Sequence, residues 1–115
     1  MRALLIVLLA FTAGPAMAAS GQEAFNDECA SCHSLGPASG ASGPSLKGVV
    51  WRRIAAAPDF AYSRALKDAV GSWSPASLDS YLKDTQAFAP GTSMFFAIDD
   101  RAQRQAIIAY LKTVR

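Results

Sequence analysis

Histidine occurs once in the 115 residues, at His33, and cysteine twice, at Cys29 and Cys32. A four-ligand zinc site is excluded, because beside this pair of thiols no second pair of Cys or His residues exists. Strand alternation is also absent, and with it the βαβ setting in which a Cys-x-x-Cys pair works as a thioredoxin-like dithiol. A structural disulfide remains open. Charge is sparse, at 17% of residues, and nearly balanced, with 11 basic and 9 acidic side chains and no basic run. A nucleic-acid footprint is thereby excluded, as is a large net field for steering partners. The chain has no repeats and no compositional boundary, and its length allows at most one small domain.

Long apolar runs are missing too. Residues Ala3 to Phe11 form the one candidate, too short to span a bilayer comfortably, and Gly14-Pro15 breaks it before Ala16-Met17-Ala18. A basic residue, a short apolar run and a small-residue site in that order are the layout of a secretory signal. The expected division is a cleaved signal over residues 1–19, cut after Ala18 or Ala19, and a domain over residues 20–115. An uncleaved membrane anchor is the alternative. Removal of Arg2 with the signal leaves a nearly neutral domain whose core is small enough to need a staple.

The residues present in such small numbers are concentrated in Cys29-Ala30-Ser31-Cys32-His33. Two thiols three positions apart, followed at once by an imidazole, have the spacing of a c-type haem attachment site. The cysteines add across the two vinyl groups of a haem to form thioethers, and the histidine beside the second becomes an axial ligand of the iron. One haem c per chain would then be the missing staple. Export fits as well, since c-type attachment in bacteria takes place outside the cytoplasm, where an unprotected Cys pair tends to oxidise.

The domain reads as all-α. Gly21, Ala24, Phe25 and Glu28 suggest a helix from about Ser20 into the motif, with Phe25 buried. Gly43-Pro44-Ser45-Leu46-Lys47-Gly48 implies a backbone that turns tightly or passes close to something flat, with a plain surface loop as the alternative. Val49 to Phe60 has no clear period. Tyr62 to Ala69 reads as a short helix ending near Gly71. Ser74-Pro75 is a helix start, Ser as N-cap and Pro in the first turn, with Leu78, Tyr81 and Leu82 on one face. Gln86 to Met94 reads as irregular, and about Asp99 to Thr113 as the last helix, carrying Ile107, Ile108, Tyr110 and Leu111.

Haem iron has two axial positions, and His33 fills one. A soft thioether in the other favours ferrous iron and raises the potential. Met17 falls in the signal, which leaves Met94, in the loop Pro90-Gly91-Thr92-Ser93-Met94-Phe95-Phe96. A lone loop Met is commonly packing; as the only thioether left beside a haem motif it becomes the candidate sixth ligand.

Taken in order, these segments resemble the class I cytochromes c. The resemblance runs from Gly21 to Lys112. It rests on Gly21 and Phe25, the Cys29 to His33 motif, Gly43-Pro44-x-Leu46-x-Gly48, Tyr62-Ser63-x-Ala65, Trp73, Leu78-x-x-Tyr81-Leu82, Pro90-Gly91-Thr92-x-Met94 and Ile108-Ala109-Tyr110-Leu111-Lys112. It implies a cytochrome c fold, with short helices and loops wrapped around one covalently attached haem. It also implies that Met94 is the sixth ligand and that the Pro44 carbonyl fixes the His33 ring. Arg52, Tyr62 and Trp73 would hold the propionates, and Tyr81 would lie near the Met ligand. Gly21 and Phe25 would meet Tyr110 and Leu111 where the first helix crosses the last.

Four departures stand out. Trp51-Arg52 replaces a frequent Gly-Arg, which suggests a loop reshaped around an indole. Ser93 replaces a common lysine, and the lysine-rich docking ring is reduced to Lys47, Lys67, Lys83 and Lys112. Ala97-Ile98 implies a one-residue deletion after Phe96. Proline is missing near Asp84-Thr85. The resulting expectation is a monomeric one-electron carrier and not an enzyme, exported to a bacterial periplasm, with no stable membrane insertion once the signal is removed. It would exchange electrons with redox-partner proteins, a reductase, oxidase or dehydrogenase, of a respiratory or photosynthetic chain. The rival readings are a cytochrome subunit of a periplasmic dehydrogenase and a haem-based sensor or weak peroxidase with a labile Met94.

Overall fold

The computed structural model describes residues 14–37 and 41–115, so the apolar run of residues 3–11 lies outside the described residues. Among the described residues five helices follow one another: α1 (Gly14–Glu28), α2 (Arg64–Lys67), α3 (Pro75–Lys83), α4 (Thr85–Phe88) and α5 (Arg101–Thr113). Among the described residues there is no strand, and a single antiparallel bridge joins Arg53 to Ser72. No helix among them is long and apolar enough to cross a membrane.

The caps explain the boundaries. Ser74 Oγ accepts from the Ser77 N–H at 3.1 Å, and Pro75 opens α3, where a missing N–H costs nothing. Asp84 ends α3 and starts α4, its Oδ1 accepting from the Gln86 and Ala87 amides. Asp100 caps α5 in the same way, through Ala102 and Gln103.

Three expectations need correction. The first helix begins at Gly14 and not near Ser20, so Ala18 and Ala19 lie inside it; Pro15 is tolerated in a first turn, and the small residues after it do not interrupt a helix. The segment expected to be helical from Tyr62 to Ala69 is helical only over Arg64–Lys67. Tyr62 is instead held in the preceding loop, its ring edge-on to Phe60 and its hydroxyl accepting from the Ala57 N–H at 3.0 Å. The stretch read as irregular after Thr85 contains α4, which the Asp84 side chain nucleates.

The first and last helices cross at Gly21. A Cβ there would run into the Ala106 carbonyl and lie 2.8 Å from the Tyr110 Cβ, so only glycine permits the approach. Phe25 and Tyr110 meet beside this point with ring centroids 5.7 Å apart, and Leu111 is buried next to them. Arg104 of α5 is the one buried cation among the described residues, 5% exposed. Its Nε donates to Asp79 Oδ1 of α3 at 2.8 Å and its Nη1 to the Ile98 and Asp99 carbonyls, which ties α5, α3 and the segment before α5 together. Burial of the guanidinium is tolerated because each of these acceptors replaces lost water.

Candidate haem site

The motif continues α1 as a series of turns. The Cys29 N–H donates to the Phe25 carbonyl at 2.8 Å and the His33 N–H to the Cys29 carbonyl at 2.9 Å, so the thiols and the imidazole are fixed by the same backbone that forms the helix. Both cysteines are free thiols, Cys29 buried and Cys32 exposed. Burial, followed by the neighbouring Glu28 carboxylate and Cys32, pushes the Cys29 thiol up to about 11.

His33 is held from two sides. Its Nδ1 lies 2.8 Å from the Pro44 carbonyl, which can only accept, so Nδ1 carries the proton and Nε2 keeps its lone pair. Burial drives the imidazole pKa down, opposed by the Pro44 bond and assisted by the Arg52 charge, and the ring is thereby kept neutral as a ligand must be. Gly43 supplies the second side: a Cβ there would fall onto the ring, 2.7 Å from Nδ1 and closer still to Cε1. The flat object that the paired glycines anticipate is the imidazole itself. Gly48 sits at φ +67, where glycine turns without strain, and its N–H donates to the Val114 carbonyl at 2.9 Å.

These groups line a mostly apolar cavity of about 320 Å³ that also takes in Met94. Leu46, Val49, Leu66, Leu78, Ile107 and Leu111 supply much of its wall, drawn from α2, α3, α5 and the loop after Pro44. Cys29, Cys32, His33 and Met94, the four residues singled out by sequence, therefore share one cavity. Arg52, Tyr62, Trp73 and Tyr81 reach it as well. The Arg52 guanidinium donates to the Ser45 and Lys47 carbonyls, while its Nε is buried with no partner. An orphaned donor at the edge of an apolar cavity is costly unless an acceptor enters with the ligand, and a haem propionate is such an acceptor. Two thiols, a neutral imidazole with a free lone pair, a thioether and an unpaired guanidinium N–H make a donor set that fits haem.

Tyr81, expected near Met94, lines the same cavity. Its hydroxyl pairs with Thr92 Oγ1 at 2.8 Å, and burial raises its pKa above the usual phenol value, partly offset by that bond. Trp51 departs from expectation. The indole is 68% exposed and no loop is built around it. The backbone turns there at φ +72, a region in which glycine is comfortable and tryptophan is not, and the turn is pinned by Trp51 N–H to the Trp73 carbonyl at 2.7 Å. The four exposed lysines Lys47, Lys67, Lys83 and Lys112 leave the docking ring as sparse as the sequence implies. Sequence reading missed Thr85 and Gln86, which bond to the Met94 loop, and Arg104; a polar pair following Asp84 between two apolar stretches was the available signal.

An all-helical domain closed around a cavity with this donor set defines a small covalent-haem protein. The sequence profile of the family described as cytochrome c matches residues 18–115. The chain is 43% identical over 98 residues to cytochrome c-type cyt cy of Rhodobacter capsulatus, covering 84% of this chain and 49% of that one. The match thus spans about half the length of that relative. It is 38% identical over 112 residues to cytochrome c2 of Blastochloris viridis, covering 93% of this chain and 87% of the relative. Among solved structures, cytochrome cH from Methylobacterium extorquens superposes with a TM-score of 0.77 at 41% identity, over 84% of this chain and 97% of the other. The chain belongs to the cytochrome c family, as a class I monohaem c-type cytochrome with covalent haem c as cofactor, and it is an electron-transfer protein and not an enzyme.

Proposed function

We propose that this chain is a periplasmic, monomeric carrier of single electrons between redox-partner proteins. In this reading Cys29 and Cys32 hold the haem by thioethers and His33 and Met94 are the axial ligands. The observation that carries the reading is the 2.8 Å contact from His33 Nδ1 to the Pro44 carbonyl, because it leaves the other ring nitrogen with a lone pair free to bind a metal. Bound haem supplies the Fe(III)/Fe(II) couple.

The protein's part is to keep the site unchanged between oxidation states. Gly43 and Pro44 fix the imidazole from both sides, the apolar wall excludes water, and Arg52 Nε offers a buried donor to a carboxylate. Exclusion of water disfavours the more positive ferric state and so raises the potential. Phe95, next to Met94 and 81% exposed, gives partners an apolar contact at the mouth of the cavity. Removal of residues 1–19 after export completes the proposal, and the mass of the holoprotein taken from a periplasm tests it.

The test of the ligand set is the visible and near-infrared spectrum of holoprotein from a host competent in c-type maturation, oxidised and reduced, beside Met94→Ala. A low-spin spectrum with a sulfur-to-iron band that disappears in the variant is expected. Native protein without that band would exclude Met94 as the ligand, and colourless protein would exclude haem binding.

A further inference from the structure

Met94 lies on an extended loop with no helix of its own, yet its carbonyl and the backbone at Gly91, Thr92 and Phe96 are bonded to two consecutive side chains of α4. Thr85 is fully buried. Its Oγ1 donates to the Met94 carbonyl at 2.6 Å, with the Phe96 carbonyl at 3.1 Å, and accepts from the Phe96 N–H at 3.1 Å. The Thr85 backbone N–H also donates to the Phe96 carbonyl at 3.1 Å. One residue therefore engages three backbone groups immediately after the Met94 Cα, the Met94 carbonyl and both polar groups of Phe96.

Gln86 holds the approach to Met94. Its Nε2 donates to the Thr92 carbonyl at 2.8 Å and reaches the Met94 carbonyl at 3.4 Å, and its Oε1 accepts from the Gly91 N–H at 3.2 Å. On the far side, the Ile98 N–H donates to the Leu82 carbonyl at 2.8 Å. The loop is thus sewn to the α3–α4 corner from Gly91 to Ile98.

This arrangement depends on the absence of proline near Asp84-Thr85, one of the departures from the family pattern. A proline at position 85 has neither the amide proton nor the hydroxyl that make these bonds. We infer that Thr85, assisted by Gln86, is a positioning residue for the sixth ligand: its hydroxyl fixes the Met94 carbonyl and its amide the Phe96 carbonyl, so that the thioether leaves the iron rarely. The inference rests on the reading of Met94 as ligand. Geometry supports it further, because a loop whose carbonyl and amide groups are already bonded cannot swing Met94 away without breaking the bonds that satisfy the hydroxyl of the fully buried Thr85.

The experiment uses ferric holoprotein and imidazole as the probe. With imidazole in excess, the rate at which it takes the sixth position levels off at the rate of Met94 release. Thr85→Val, close in shape but without the hydroxyl, is expected to raise that limiting rate at least tenfold while the sulfur-to-iron band persists before imidazole is added. Thr85→Ser restores the hydroxyl and is expected to return the rate to within about threefold of native. Gln86→Ala is expected to fall between them.

Guanidinium unfolding measured in parallel separates local release from global loss: the rate change must exceed the change in the population of unfolded protein. An unchanged limiting rate in Thr85→Val, with Met94→Ala lacking the band, overturns the positioning role and leaves the ligand assignment standing. A band that survives in Met94→Ala overturns both. Should Thr85→Val fail to accumulate, Thr85→Ser and Gln86→Ala decide: a native rate in Gln86→Ala, together with native hydrogen exchange at the Phe96 amide, counts against the inference.

Discussion

At the scale of single residues, the site depends on how closely backbone approaches a ring. Gly43→Ala places a methyl group on the His33 imidazole and forces it from its bond to Pro44. Loss of such an orienting partner commonly costs 10–100-fold in metal affinity, and the yield of holoprotein relative to total chain, read by haem stain, is expected to fall about tenfold or more. Tyr81 gives a second test. Its pKa in the fold is raised above 10.0, so from about pH 10 upward the unfolded chain releases this proton before the native one does. Stability is then fully present below pH 10 and declines as pH rises through the folded value. Tyr81→Phe is expected to cost about 1 kcal/mol at neutral pH, by leaving Thr92 Oγ1 unpaired, and to flatten the loss of melting temperature above pH 10. Of these contacts, the local ones were legible in the sequence: residues 29–33 lie within one turn and their spacing alone specifies the chemistry. The Thr85 bonds to Met94 and Phe96 join a four-residue helix to a loop nine and eleven positions away, and nothing periodic marks them.

At the scale of elements, capping made α3 readable, and shortness obscured α4. Ser74-Pro75 announced a start that the structure reproduces, whereas α4 is too short for a hydrophobic period and exists because Asp84 caps it and Phe96 accepts its first amide. The segment after Tyr62 looked helical for longer because its apolar spacing carries no record that the tyrosine hydroxyl is already bound by Ala57. The crossing of α1 and α5 was legible as Gly21 and Phe25 against Tyr110 and Leu111; that the Ala106 backbone is the surface Gly21 rests on was not. Gly21→Ala is expected to destabilise the holoprotein by about 2–3 kcal/mol in guanidinium unfolding, since the clash is with backbone that cannot turn aside. Gly36→Ala, with open space around the added methyl, serves as the control and is expected to stay within about 0.5 kcal/mol.

At the scale of the whole molecule, charge and chain order matter more than any contact. Basic and acidic side chains nearly cancel over the sequence, 11 against 9, and the exposed lysines are spread over four separate segments. Electron transfer to a partner is therefore expected to change less than about threefold between 20 and 200 mM salt, measured by stopped flow; a steep decline would reveal a charged docking face. Chain order has a consequence in time. The thiols emerge early, at the end of α1, but Ile107 and Leu111, which close the cavity, belong to the last helix, and the Gly48 amide that steadies the loop after Pro44 waits for the Val114 carbonyl. Roughly 80 residues separate His33 from these partners. Until those residues arrive and pack, the pair of cysteines is open on a chain that cannot yet fold over them, and a haem-attaching enzyme has its opportunity before the finished domain shuts it out.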